Sequence, residues 1–132
     1  MTMDPVQVRI QTEGDVMLAT IQGAGSIDAS NASLLRGQLA SGLQPGRHFV
    51  LSLEGIRSMD SAGIGVLVAV LKTIRKGGGR FCLVRVAPQV FSVLEMVRLT
   101  TVFETYPDLA AARAALAAAP ALAPVAPDPA SR

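Results

Sequence analysis

Apolar and polar residues alternate through Val6-Gln7-Val8-Arg9-Ile10, the pattern of a half-buried strand. Glu13-Gly14-Asp15 is a turn signal, and Val16-Met17-Leu18-Ala19-Thr20-Ile21 reads as a second strand, the hairpin partner of the first. Gly23-Ala24-Gly25-Ser26 breaks the alternation, and the period then lengthens: Ala32, Leu35 and Leu39 fall on one helical face. Asp28 or Ser30 is placed to cap that helix, and Gly42 and Pro45 to end it. Phe49-Val50-Leu51-Ser52-Leu53 is a short apolar run between turn residues, as expected of a central strand buried on both faces.

A second helix is predicted from about Ser61 to Gly77-Gly78-Gly79, with Ile64, Leu67, Val68, Leu71 and Ile74 as its core stripe. Val66, Ala69, Val70 and Thr73 form another weakly polar face, to be buried by neighbouring helices or to serve as a docking patch. Phe81 to Val86 is a further strand. Ala87-Pro88 opens a third helix with Val90, Val93, Leu94 and Val97 on one side, proline being well suited to a first helical turn. Val102 to Tyr106 is a last short strand, and Pro107-Asp108 opens a fourth helix with Leu109, Ala112, Arg113 and Leu116 aligned. The order β-β-α-β-α-β-α-β-α predicts a single α/β domain over residues 1–118, a mixed, mostly parallel sheet covered by about four helices. Residues 119–132, rich in alanine with Pro120, Pro124, Pro127 and Pro129, are expected to form a disordered tail.

Composition narrows the function. Half of the 132 residues are hydrophobic but only 4% are aromatic, which suits an aliphatic core and disfavours base-stacking RNA recognition. The net charge is +2, and the densest basic run (Lys72, Arg75, Lys76 and Arg80) reads as the solvated end of a helix rather than a nucleic-acid stripe. The single cysteine, Cys82, lies in an apolar run and reads as a small buried hydrophobe of a reducing, cytoplasmic protein. The N-terminal residues carry no signal-peptide pattern, and the apolar run Ile64 to Leu71 is far short of the roughly 20 residues that span a bilayer.

The informative segment is Ile56-Arg57-Ser58-Met59-Asp60-Ser61-Ala62-Gly63-Ile64-Gly65-Val66-Leu67, at a strand-to-helix junction. Ser58 or Asp60 is suited to capping the helix. Two glycines inside a helical turn each cost about 1 kcal/mol relative to alanine, so a close backbone approach is expected there. Met59-Asp60-Ser61-Ala62-Gly63-Ile64-Gly65 resembles the Asp-Ser-(Ser/Thr/Ala)-Gly-(Leu/Ile)-Gly motif of STAS domains, and more narrowly that of bacterial anti-sigma-factor antagonists. The resemblance covers about residues 6–118. It includes Gly25-Ser26-Ile27-Asp28-Ala29, similar to the family's Gly-x-(Leu/Ile)-Asp-Ala, the strand Val50-Leu51-Ser52-Leu53, and Val93 through Phe103.

The resemblance implies a protein-binding switch rather than an enzyme. Ser61 stands at the position phosphorylated by an anti-sigma factor that is itself a serine/threonine kinase, and a PP2C-type phosphatase would reset it. Asp60 would shape the loop and position the hydroxyl; Ser58, Met59, Ala62, Gly63 and Val66 would lie at the partner contact; Asp28 would support the neighbouring loop or cap the first helix. ATP would belong to the kinase, so no cofactor is expected. Ala62 stands where many relatives carry a second hydroxyl, and Leu99-Thr100-Thr101 where a glycine commonly follows the third helix. A non-phosphorylated STAS adaptor of a lipid-transport or signalling complex is the alternative.

Other chemistry finds little support. The only histidine, His48, is expected beside the central strand, and Met59 replaces the first glycine of a Gly-x-Ser-x-Gly nucleophile elbow. Gly23-Ala24-Gly25 has Asp28 at the spacing of a third dinucleotide-loop glycine, and Gly77-Gly78-Gly79-Arg80 lacks the Gly-Lys-Ser/Thr of a phosphate loop. No metal-ligand cluster is visible in the sequence.

Overall fold

The alternation in the first segments becomes a hairpin. In the computed structural model, which describes residues 6–44 and 46–118, β1 (Gln7–Glu13) pairs antiparallel with β2 (Val16–Gln22) around Gly14-Asp15. The remaining long strands add in parallel: β4 (His48–Ser52) beside β2, β6 (Phe81–Val84) beside β4, and β7 (Glu104–Tyr106) beside β6. A separate two-residue pair, β3 (Ser26–Ile27) with β5 (Ser58–Met59), also runs parallel. The helices are α1 (Ala32–Gly42), α2 (Ser61–Lys76), α3 (Pro88–Met96) and α4 (Leu109–Ala118). The expected tail, the N-terminal residues before Val6 and the helix stop at Pro45 lie outside the described residues.

The strand order β1-β2-β4-β6-β7 explains the distribution of helices. Each parallel crossover advances one strand in the same direction, and right-handed crossovers then place α1, α2 and α3 on one face. On that face Phe49 and Leu51 of β4 and Phe81 and Leu83 of β6 meet Leu35, Leu39, Leu67, Leu71, Val90 and Leu94. The intervening residues Val50, Cys82 and Val84 point the other way, into a smaller cluster closed by Ala112 and Leu116 of α4. Phe49, Phe81 and Phe103 form a ring chain with centroid spacings of 5.8 and 5.9 Å. Cys82 is fully buried, and burial pushes its thiol up to about 12, consistent with a packing role.

Polar contacts hold the periphery. The Gln38 amide donates to the Val6 carbonyl and accepts from the Val8 N–H, each at 2.7 Å, so a side chain of α1 pairs with the open edge of β1. Under α4, Arg80 bonds Glu104, and Tyr106 donates to the same carboxylate at 2.9 Å. Burial alone would raise the Glu104 carboxyl, but the Arg80 and Tyr106 hydrogen bonds outweigh it and hold the group below its ordinary value. The Asp108 carboxylate accepts from Ala111 N–H at 2.9 Å and caps α4.

Two helix ends share one stop. After α2, Gly79 N–H reaches Ile74 C=O and Gly78 N–H reaches Arg75 C=O, a Schellman motif with Gly78 at φ +90°. After α3, Leu99 N–H reaches Leu94 C=O and Arg98 N–H reaches Glu95 C=O, with Arg98 at φ +60°. The turn that glycine usually makes is thus made by an arginine. It ends the helix one residue before Val97, which is 48% exposed rather than aligned with the core as its spacing suggested.

Arg98→Gly should therefore stabilise the fold. Relief of a left-handed conformation is worth about 1–2 kcal/mol, and the extra backbone entropy of glycine offsets about 0.5–1 kcal/mol. A net gain of about 0.5–1 kcal/mol in urea unfolding is expected. Glu104 makes a second prediction. Its depressed folded value means that its stabilisation is complete above its ordinary value of 4.5 and is lost as pH falls through the folded value. Stability of the wild type should thus fall with acid below about pH 4.5, and Glu104→Gln should flatten that slope while lowering stability at neutral pH.

Candidate functional site

The loop that carries Asp60 and Ser61 is built by the small β3–β5 pair. Arg57 N–H donates to Gly25 C=O at 2.7 Å, and Asp60 N–H to Ile27 C=O at 3.2 Å, on either side of the Ser26–Ser58 and Ile27–Met59 pairings. Two distant segments, the Ile27-Asp28-Ala29 turn and the Asp60-Ser61 junction, are thereby brought side by side. Ile27 and Met59 point inward, at 0% and 6% exposure, and anchor the pair in the core.

Asp60 is the N-cap of α2. Its carboxylate Oδ1 accepts from Ala62 N–H at 2.9 Å and Gly63 N–H at 3.2 Å, satisfying two helix-terminal donors and placing negative charge at the positive end of the helix dipole. Ser61 is the first residue of the helix and is exposed. Its hydroxyl has no hydrogen-bond partner among the described residues.

Asp28 does not cap α1. Its carboxylate accepts from Ser30 Oγ at 2.5 Å, Ser30 N–H at 2.9 Å and Ser26 Oγ at 3.1 Å, and these bonds, the Ser30 hydroxyl first, hold it below its ordinary value. Asn31 occupies the N-cap position, without a side-chain cap bond to α1. It binds the turn instead, with Oδ1 accepting from Asp28 N–H at 3.0 Å and Nδ2 donating to Ser26 C=O at 2.9 Å. Sequence reasoning missed Ser26 and Asn31 as parts of this turn. The signal was the density of short polar side chains just before the first helix, which favours bonds to local backbone over helix.

The two glycines of the motif differ. A Cβ on Gly63 would lie 2.5 Å from Met59 Cγ and 2.8 Å from Ile27 O, so its bareness lets α2 sit against β3. A Cβ on Gly65 would meet nothing within 4 Å, so the expectation of close approach fails there. Of the residues expected at a partner contact, Ser58, Asp60 and Ser61 are exposed and Ala62 is half-buried. Met59, Gly63 and Val66 are buried; they shape the loop from beneath instead of presenting side chains. Val66 and Val70 are buried and Ala69 half-buried, as the burial reading of the second α2 face expected, while Thr73 is exposed with Ser61, Gly65 and Lys72 on the solvent side.

The only histidine is remote from Ser61. His48 begins β4, at the opposite end from the loop leading to α2, and its Nδ1 accepts from Arg80 N–H at 3.0 Å. The carboxylate adjacent to Ser61, Asp60, is engaged with Ala62 N–H and Gly63 N–H.

Gly63→Ala should be destabilising by about 1–3 kcal/mol, because the Met59 side chain can move but the Ile27 carbonyl is held by Asp60 N–H. Gly65→Ala should stabilise by about 0.5–1 kcal/mol through helix propensity alone. Parallel urea titrations of the two variants check both signs.

The STAS domain profile matches residues 7–112. An anti-sigma F factor antagonist of Paenibacillus polymyxa is 28% identical over 103 residues, covering 76% of this chain and 86% of that protein. BtrV of Bordetella bronchiseptica, described as an anti-sigma factor antagonist, is 31% identical over 101 residues, covering 76% and 85%. Among solved structures, a Thermotoga maritima protein described in the same terms superposes with a TM-score of 0.71 at 25% identity, over 83% of this chain and 94% of that one. Together with the mixed sheet, the four helices and the Asp60-Ser61 junction, these matches establish that the chain belongs to the STAS domain family, alongside anti-sigma factor antagonists.

Proposed function

We propose that this chain is an anti-sigma factor antagonist that works by partner switching. With Ser61 unmodified it binds an anti-sigma serine/threonine kinase and so frees a sigma factor. Phosphorylation of Ser61 by that kinase ends the interaction, and a PP2C-type phosphatase restores it. The observation that carries the reading is the presentation of Ser61: an exposed hydroxyl, unbonded among the described residues, on the first residue of α2, beside the Asp60 cap and the β3–β5 pair.

The geometry also suggests how the modification acts. A phosphoserine adds about −1.5 to −2 charges at neutral pH. The helix N-terminus tolerates an anion, but Asp60 already bonds Ala62 N–H and Gly63 N–H. The phosphate therefore stays on the surface beside a carboxylate, and its effect falls on the partner through bulk, like charge and desolvation rather than on the fold. The protein acts in the cytoplasm beside its kinase, uses no cofactor and performs no catalysis of its own.

Incubation with the anti-sigma kinase encoded nearest to this chain, plus ATP, should add one phosphate by intact mass and release the kinase; Ser61→Ala should gain none. The thermal midpoint of the phosphorylated form should lie within a few degrees of the unmodified form. A partner held equally by wild type, Ser61→Ala and Ser61→Asp, with the kinase active on another substrate, would instead establish a phosphorylation-independent adaptor.

A further inference from the structure

Beyond Ser61 the solvent side of α2 continues into an open groove of about 590 Å³ shared with α1. Its apolar lining is Ile64, Val68 and Ala69; Arg36 of α1 and Lys72 and Lys76 of α2 bring the charge. We infer that this groove docks an acidic amphipathic helix of the protein that reads Ser61, making the α1–α2 face the determinant of which partner is recognised.

The charge distribution supports that occupant. Helices α1 and α2 contain Arg36, Lys72, Arg75 and Lys76 and no aspartate or glutamate, so the rest of the chain carries a net charge of −2. Of these, Arg36, Lys72 and Lys76 line the groove while Arg75 turns to the Val102 carbonyl, and no acidic side chain is among the groove's lining, so the groove would attract carboxylates and hasten encounter. The shape favours a helix. Nothing lies within 4 Å of a Cβ at Gly65, which leaves room for an incoming backbone, and the groove follows α2 from its first turn to its last. A lipid surface fits less well. The groove is concave, and the large exposed apolar side chains of the described residues, Leu34, Met96 and Val97, are not among those lining it.

The inference rests on the partner-switching reading only for the identity of the protein that supplies the helix, so the groove can be tested separately. The isotope-labelled full chain would be titrated with a synthetic helical peptide of leucine, alanine and glutamate, with its glutamine counterpart, and with phosphatidylcholine vesicles with and without phosphatidylglycerol. The acidic peptide should shift amide resonances along α2 and around Arg36. The glutamine peptide should bind about tenfold more weakly, as should Lys72→Glu/Lys76→Glu with the acidic peptide. Gly65→Leu, which fills the groove without changing charge, should also weaken binding. Absence of shifts, shifts elsewhere, or equal binding of the two peptides would overturn the inference. So would vesicle binding that depends on phosphatidylglycerol while the acidic peptide is ignored. Against the kinase, Lys72→Glu/Lys76→Glu should lower affinity while leaving the effect of Ser61 phosphorylation intact. Unchanged affinity there would sink the docking surface alone, whereas failure of wild type to gain phosphate would sink the switch alone.

Discussion

The contact between Gly63 and the Ile27 carbonyl sets the position of everything that surrounds Ser61. The first turn of α2 rests on β3 because Gly63 has no side chain. That seat allows Asp60 N–H to reach Ile27 C=O, which in turn registers β5 on β3 and sets the Asp28 turn beside the Asp60 cap. A methyl group in this gap would press on backbone that is already committed to a hydrogen bond. The contact therefore does more than pack: it couples two segments more than thirty residues apart into one surface.

Around that seat, polar groups are organised locally. Asp28 accepts from Ser26 and Ser30, and Asp60 accepts through Oδ1 from two amides of its own helix. Neither carboxylate is held by a cation in the described bonds. The loops are therefore shaped by short-range geometry that a change at the neighbouring Ser61 hydroxyl need not disturb. The frame around the Ser61 hydroxyl is thus fixed by bonds in which that hydroxyl takes no part.

Much of this was legible in the sequence. The 3.6-residue spacing of Ala32, Leu35 and Leu39, and the continuous apolar runs of the central strands, fit central strands covered by helices on both faces. The motif at residues 59–65 pointed to the candidate site because its polar and glycine residues fall at a strand-to-helix junction. What was not legible depends on contacts rather than periods. Two-residue strands such as β3 and β5 are too short to show alternation. The different roles of Gly63 and Gly65 depend on what lies opposite each. The left-handed turn at Arg98 carries no glycine to announce it, and its early stop is why Val97 was assigned to the core. The fates of Met59 and Val66 followed the same rule: proximity in sequence to Ser61 says nothing about which side of the backbone a side chain takes.

The strand order has a further consequence. From β2 through β4 and β6 to β7 the sheet grows in one direction. In open α/β sheets a ligand crevice forms where that direction reverses and neighbouring crossovers part to opposite faces. This architecture contains no such reversal. Its three crossover helices close ranks on one side, and at the ends of β6 and β7, where α3 and α4 leave for opposite faces, there is a hollow of about 280 Å³ lined by Arg85, Val86, Phe91 and Thr105-Tyr106-Pro107. On the proposed reading such a domain works more as a relief than as a vessel: what it communicates would be carried by the outline it shows to another protein, which one added group would change.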